Sequence, residues 1–231
     1  MRRLKPWHWV TIAFHFVIVV LLLWFALAYG GLPRLWSHHE RKHFAGRDQI
    51  ISYTAQDIPA DPINLHLLGS RDAITRAFRQ AGWHLADNVA LWSALKIGGS
   101  VALDRPYPQA PVSNLYVQDA VQDLAFEKAD GRSAEKRHHV RFWQVGPDQW
   151  LGAATFDRGV GLSLFTLQIT HHIGPDVDGE RDTIGRLIVA SGGREIGREP
   201  SRISPGAWHR NGGGDKYRSD GMIADYRLSQ G

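Results

Sequence analysis

Val140 to Phe156 reads VRFWQVGPDQWLGAATF, and the break in its middle decides the fold class. Two runs rich in Val, Trp, Phe and Thr flank Gly146-Pro147-Asp148-Gln149, a composition that reverses a chain, so the stretch predicts an antiparallel β-hairpin. With the turn at 146–149, Val145 opposes Trp150 and His138 comes opposite Asp157. Leu115 to Val117, Asp123 to Lys128, Leu162 to Thr170 and Met222 to Leu228 read as further strands, and Asn64 to Leu68 alternates like one. Ile74, Ala77, Phe78 and Ala81 recur at helical spacing, with Ser70 as cap and Gly82 as stop. A second helix is predicted from about Gly179 to Ala190, capped by Asp178 and closed by Gly192-Gly193. Proline and glycine make Tyr53 to Pro62 a linker and Arg194 to Lys216 a loop. Together these elements predict an α+β fold with a mainly antiparallel sheet and two or more packed helices.

Ahead of that domain, Arg2, Arg3 and Lys5 precede Val10 to Tyr29, 20 residues without a charge. At about 1.5 Å per residue such a helix matches the roughly 30 Å of a bilayer core. The expected division is a basic head at 1–9, a transmembrane anchor at 10–29, a juxtamembrane collar and linker at 30–57, and the α+β domain at 58–231. Ala26-Leu27-Ala28 has the small residues of a signal-peptidase site, but the run exceeds an ordinary signal core. Trp24, Tyr29 and Trp36 also suit a membrane interface, so an uncleaved anchor is favoured. The nearest cations lie amino-terminal to the span, which predicts a single-pass protein with an extracytoplasmic carboxy-terminal domain. His15, inside the span, is expected to be neutral and to pack on a partner helix or reach toward the interface.

The formal charge of +4 belongs to the membrane end. Residues 1–47 hold seven Lys and Arg against Glu40 alone, and the remainder holds 20 basic and 22 acidic residues. A domain of that charge is not expected to bind nucleic acid; the basic cluster suits the lipid bilayer itself. The absence of cysteine excludes disulfides, thiol catalysis and Cys-ligated metals.

Three segments carry groups capable of chemistry. His39-Glu40-Arg41-Lys42-His43 has the letters of a zinc-protease helix, yet Arg41 and Lys42 are wrong for its buried setting, and a polar collar is the expectation. Thr170 to Asp182 places His171 and His172 before Asp176, Asp178, Glu180 and Asp182. These residues suit a divalent metal or acid–base work, while the plainer reading is a capped helix start whose acids complement the dipole. Arg137-His138-His139-Val140-Arg141 offers a separate pair, His138 with Asp157, which is equally an ordinary sheet contact. A simple meander carries His171 to the far end of the sheet from His138, so the two clusters are separate candidates. Gly212 to Lys216 lacks the first glycine and the hydroxyl residue of a phosphate loop and reads as a flexible turn.

Asn64-Leu-His-Leu-Leu-Gly-Ser70, Ala81-Gly82-Trp83, Gln122 to Lys128, Arg137 to Trp143, Trp150 to Asp157, the Thr170 to Asp182 segment and Gly213 to Gly221 together resemble the LssY C-terminal-like domain of bacterial membrane proteins, over about positions 58–228. The resemblance implies an envelope setting and, in longer members, linkage to membrane phosphatase-like modules that act on lipid phosphates. It implies no catalytic residue. The expected function is an accessory or binding domain for an envelope lipid, a glycan or a membrane protein, without an organic cofactor. The alternative is a membrane-tethered hydrolase, metal-dependent or not, that attacks a phosphorylated envelope lipid or glycan through the His171–Asp182 cluster.

Overall fold

The structure, a computed structural model, describes residues 6–32, 34–35, 51–55, 57–86, 114–118, 120–131 and 136–229. The zinc-protease-like letters at 39–43, most of the collar and Trp36 lie outside these residues. Helix α1 (Pro6–Ala26) continues through a wider turn at Leu27–Gly31. Trp7–Gly31 is long and apolar enough to cross a membrane, and its central window is wholly exposed. His15 is satisfied within its own helix, where Nδ1 lies 2.7 Å from the Thr11 carbonyl oxygen. Tyr29 stacks on Phe25 and meets Trp24 edge-on.

The domain is α+β and mainly antiparallel, as the hairpin predicts. Its strands are β1 (Ile51–Tyr53), β2 (Pro59–Pro62), β3 (Leu65–Leu68), β4 (His84–Leu85), β5 (Tyr116–Val117), β6 (Ala120–Val121), β7 (Leu124–Ala129), β8 (Arg137–Gly146), β9 (Gln149–Leu162), β10 (Ile169–Ile173), β11 (Arg194–Pro200), β12 (His209–Arg210), β13 (Lys216–Tyr217) and β14 (Met222–Arg227). The main sheet runs β11-β14-β3-β9-β8-β7-β4, with only β14 and β3 parallel. Strand β9 is long enough to use one edge twice: its first residues pair with β3, its last with β10.

Helices α2 (Arg71–Gln80) and α3 (Val177–Ala190) cover one face of this sheet. Ile74, Phe78, Ile184 and Ile188 pack there against Leu65, Leu67, Phe126, Val140, Phe142 and Trp150. Each large apolar side chain buried in this way contributes about 1.5–3 kcal/mol. The Ser70 hydroxyl accepts from the Ala73 amide as the cap of α2, and Gly82 ends it with φ 77°. A small sheet, β2-β1-β5-β6, lies over part of the other face, where Ala60, Ile63, Leu115 and Val117 meet Trp143, Ala153 and Ile223.

Five expectations change, the first being the strand read over Leu162 to Thr170, most of which is the turn from β9, ending at Leu162, to β10, starting at Ile169. Val145 bulges out of the hairpin, because the register shifts between Gln144 and Gly146, and the turn contracts to Pro147-Asp148 with Asp148 at φ 55°. Asp157 therefore opposes Arg137, and His138 opposes Phe156. The segment read as a linker forms β1 and β2, held by two hydrogen bonds between Ser52 Oγ and the backbone of Asp61. The stretch read as a loop forms edge strand β11 along β14, an exposed polar strand without an apolar pattern. Helix α3 starts two residues early, with Asp176 rather than Asp178 accepting from the Gly179 amide.

Candidate functional site

Strand alternation sorts the central residues by face. On β8, Val140 and Phe142 join the helix-side core, so Arg137, His139, Arg141 and Trp143 point the other way. On β9 the same side carries Ala153, Thr155 and Asp157, and on β7 it carries Glu127. Next to the apolar patch around Trp143, this face is thus a buried set of charged and polar groups. Arg137 Nη1 donates to Glu127 Oε2 at 2.9 Å, and Arg141 Nη1 donates to Asp61 Oδ2 of β2 at 2.8 Å. His139 stands between two carboxylates, 3.2 Å from Glu127 and 3.5 Å from Asp157. The imidazole of His171, brought in by β10, lies 6.2 Å from that of His139 between ring centres.

Burial, reinforced by the guanidinium of Arg141, pushes His139 down to about 3, against the pull of Asp157. Burial, then Arg137 and Arg141, push His171 down to about 4. Both rings are therefore neutral at pH 7. Burial raises the carboxyls of Asp61 and Asp157, with Arg141 opposing the rise at Asp61 and His139 opposing it at Asp157. A neutral imidazole donates from one nitrogen only, so His139 cannot serve both carboxylates. Glu127 has Arg137 as well, which leaves Asp157 the poorer. Asp157 Oδ2 and Arg141 Nε, on residues 3% and 8% exposed, make no hydrogen bond among the described residues. Asp61, Arg141, Asp157 and His171 line one cavity of about 370 Å³, completed by polar Ser163, Thr166 and Gln168 and by apolar Ile58, Leu115 and Ile173.

A family model described as LssY C-terminus matches residues 46–223. The chain belongs to the LssY C-terminus family. No curated protein and no solved structure matches it.

In this LssY C-terminus domain the residues of the Thr170 to Asp182 segment part company. His171 lines the cavity; none of the four carboxylates does. Asp176 caps α3. Asp178 accepts from the Asp220 amide and the Ser219 hydroxyl and pairs with Arg181, which is 1% exposed and also holds Asp182 and Asp220. Glu180 reaches the opposite side of β8 and pairs with His138 at 2.8 Å, a hydrogen bond that raises the imidazole value. His172 donates to Asp215, which also accepts from Arg158 and the Ile173 amide. Gly161 leaves room for the His172 ring, since a Cβ there would lie 2.5 Å from Nε2.

Among the described residues no group of three or more His, Asp or Glu is placed to hold a metal ion. His138 and Asp157, the other sequence candidate, fall on opposite faces because of the bulge, and the imidazole facing Asp157 is that of His139. Asp61 and Glu127 carry no signal in the sequence, where they stand in separate segments without a neighbouring His or Arg. Arg137, His139 and Arg141 did carry a signal: three ionisable residues two apart in a strand whose alternate positions are His138, Val140 and Phe142.

Proposed function

We propose that this is a membrane-anchored binding domain of the bacterial envelope, held as a single-pass inner-membrane protein with the domain on the extracytoplasmic side. Its cavity takes a neutral, hydroxyl-rich group, the chemistry shared by glycans and by glycosylated lipid headgroups. The anchoring rests on the length and composition of Trp7–Gly31 and on the cations before it. The binding rests on one observation, the convergence of the buried charged residues Asp61, Arg141 and Asp157 with His171 on the wall of one cavity. The lining guanidinium pairs with Asp61 through Nη1, and Asp61 and Asp157 set two carboxyls on the same wall, which disfavours a phosphate and favours hydrogen-bonded hydroxyls. The volume is within the range of small-molecule sites. A hydrolase working through His171 to Asp182 gains no support from the geometry, since the carboxylates serve α3, Arg181 and His138.

Native mass spectrometry of the full-length chain released from membranes in detergent tests this. The expected result is a hydroxyl-rich small molecule or lipid on the protein that is absent from Asp157→Ala, with the circular dichroism of the two alike. An identical spectrum of bound species for both would contradict it.

A further inference from the structure

The turn between β9 and β10 breaks two rules for a segment that faces water. Leu162, Leu164 and Leu167 are 48%, 66% and 37% exposed. Leu167 also holds φ at 58°, a left-handed conformation that costs a leucine about 1–2 kcal/mol and that Gly or Asn adopts more cheaply. The turn is not slack. Ser163 Oγ accepts from the amides of Phe165 and Thr166, the Leu167 amide donates to the Ser163 carbonyl, and the Leu164 amide donates to the Gly213 carbonyl. The leucines are therefore presented by a built loop.

Gly213 belongs to the turn joining β12 and β13, where Arg210 stands directly opposite Lys216, both exposed. Like charges in register destabilise a strand pair; Arg210 offsets this in part by donating to the Gly214 carbonyl, while Lys216 faces solvent beside it. Apolar side chains beside a pair of cations suit the headgroup region of an anionic bilayer. Reach permits it. Residues 36–50 join the helical Leu35 to β1, a tether of at most about 55 Å when fully extended.

We infer that loop 162–167 docks into the anionic bilayer that the amino-terminal helix is long enough to cross, with Arg210 and Lys216 against lipid phosphates. The same loop lines the cavity with Ser163 and Thr166, so docking sets the cavity at headgroup depth and makes its ligand a membrane-resident headgroup. That consequence rests on the binding reading above; the docking does not.

The chain has no cysteine, which makes the test clean. A polarity-sensitive fluorophore is attached to Leu164→Cys, and separately to Val189→Cys, an exposed position on α3 across the sheet, in the full-length protein reconstituted into vesicles of phosphatidylethanolamine and phosphatidylglycerol. The Leu164→Cys emission shifts to the blue and is quenched by nitroxides on the lipid chains, while the Val189→Cys emission is not. In the labelled protein, Arg210→Gln or Lys216→Gln lowers the docking constant roughly fivefold each. A Leu164→Cys label as water-exposed as the Val189→Cys label overturns the proposal. So does a label shielded without lipid quenching, which would place a second copy or another segment over the loop. Asp157→Ala leaves the docking signal intact, so the binding reading and the docking fail separately.

Discussion

The two faces of the main sheet share one backbone and differ by one residue along each strand, yet they are built on opposite principles. On the helix side, Leu65, Leu67, Phe126, Val140 and Phe142 meet Phe78, Ile184 and Ile188, and burial there stabilises without conditions. On the other side, Arg137, His139, Arg141, Glu127 and Asp157 are also buried, but desolvating such groups offsets what their pairing contributes. The difference teaches that burial alone does not mark a core. Stability resides on the helix face, and on the proposed reading the charged face is retained for binding.

The largest effect should come from the apolar face. Phe142→Ala, which removes a ring packed against Phe78, should cost about 3–5 kcal/mol in urea denaturation while leaving ligand affinity per folded molecule unchanged. Arg181→Ala should cost about 3 kcal/mol, since it strands Asp178, Asp182 and Asp220, two of which are exposed enough to rehydrate.

Acid comes next. His139 and His171 are held far below the ordinary 6.5, so their contribution is complete above that pH and is lost as the unfolded chain takes up protons that the folded chain refuses. Asp61 and Asp157, raised in the folded state, oppose this by accepting protons first. The net loss between pH 7 and 4 should be on the order of 2 kcal/mol by denaturation at each pH, and smaller in His139→Gln. The smallest effect is local: Asp176→Ala should cost about 1 kcal/mol through the α3 cap and leave the charged face untouched. An Asp178→Ala variant with the larger loss would instead point to the Arg181 and Asp220 contacts of that side chain.

Much of this architecture is legible before any coordinates. The hairpin, the α2 cap at Ser70 with its stop at Gly82, and the 20-residue apolar run follow from periodicity and turn chemistry, because local rules govern them. The register is not local. A bulge at Val145, next to an ordinary Gly-Pro-Asp turn, moves Asp157 from His138 to the His139 side, and nothing in the letters marks which residue bulges. The α3 cap is read as Asp178 from the sequence, but Asp176, two residues earlier, offers the same short carboxylate and takes the role. The cavity was out of reach for another reason. Asp61, Arg141, Asp157 and His171 lie on β2, β8, β9 and β10, and they meet only because β9 pairs with β3 and then with β10 along one edge.

If the charged face is kept for binding, it is dispensable for folding. The decisive measurement is the urea stability of the full-length Asp61→Leu/Arg141→Met/Asp157→Leu variant beside the parent chain. Replacing a buried ionic cluster with apolar side chains of similar size should leave stability unchanged or raise it by about 1–4 kcal/mol, with the bound species lost from the native mass spectrum. A loss of about 3 kcal/mol or more, with the bound species retained, would make the charged face part of the core and contradict the account.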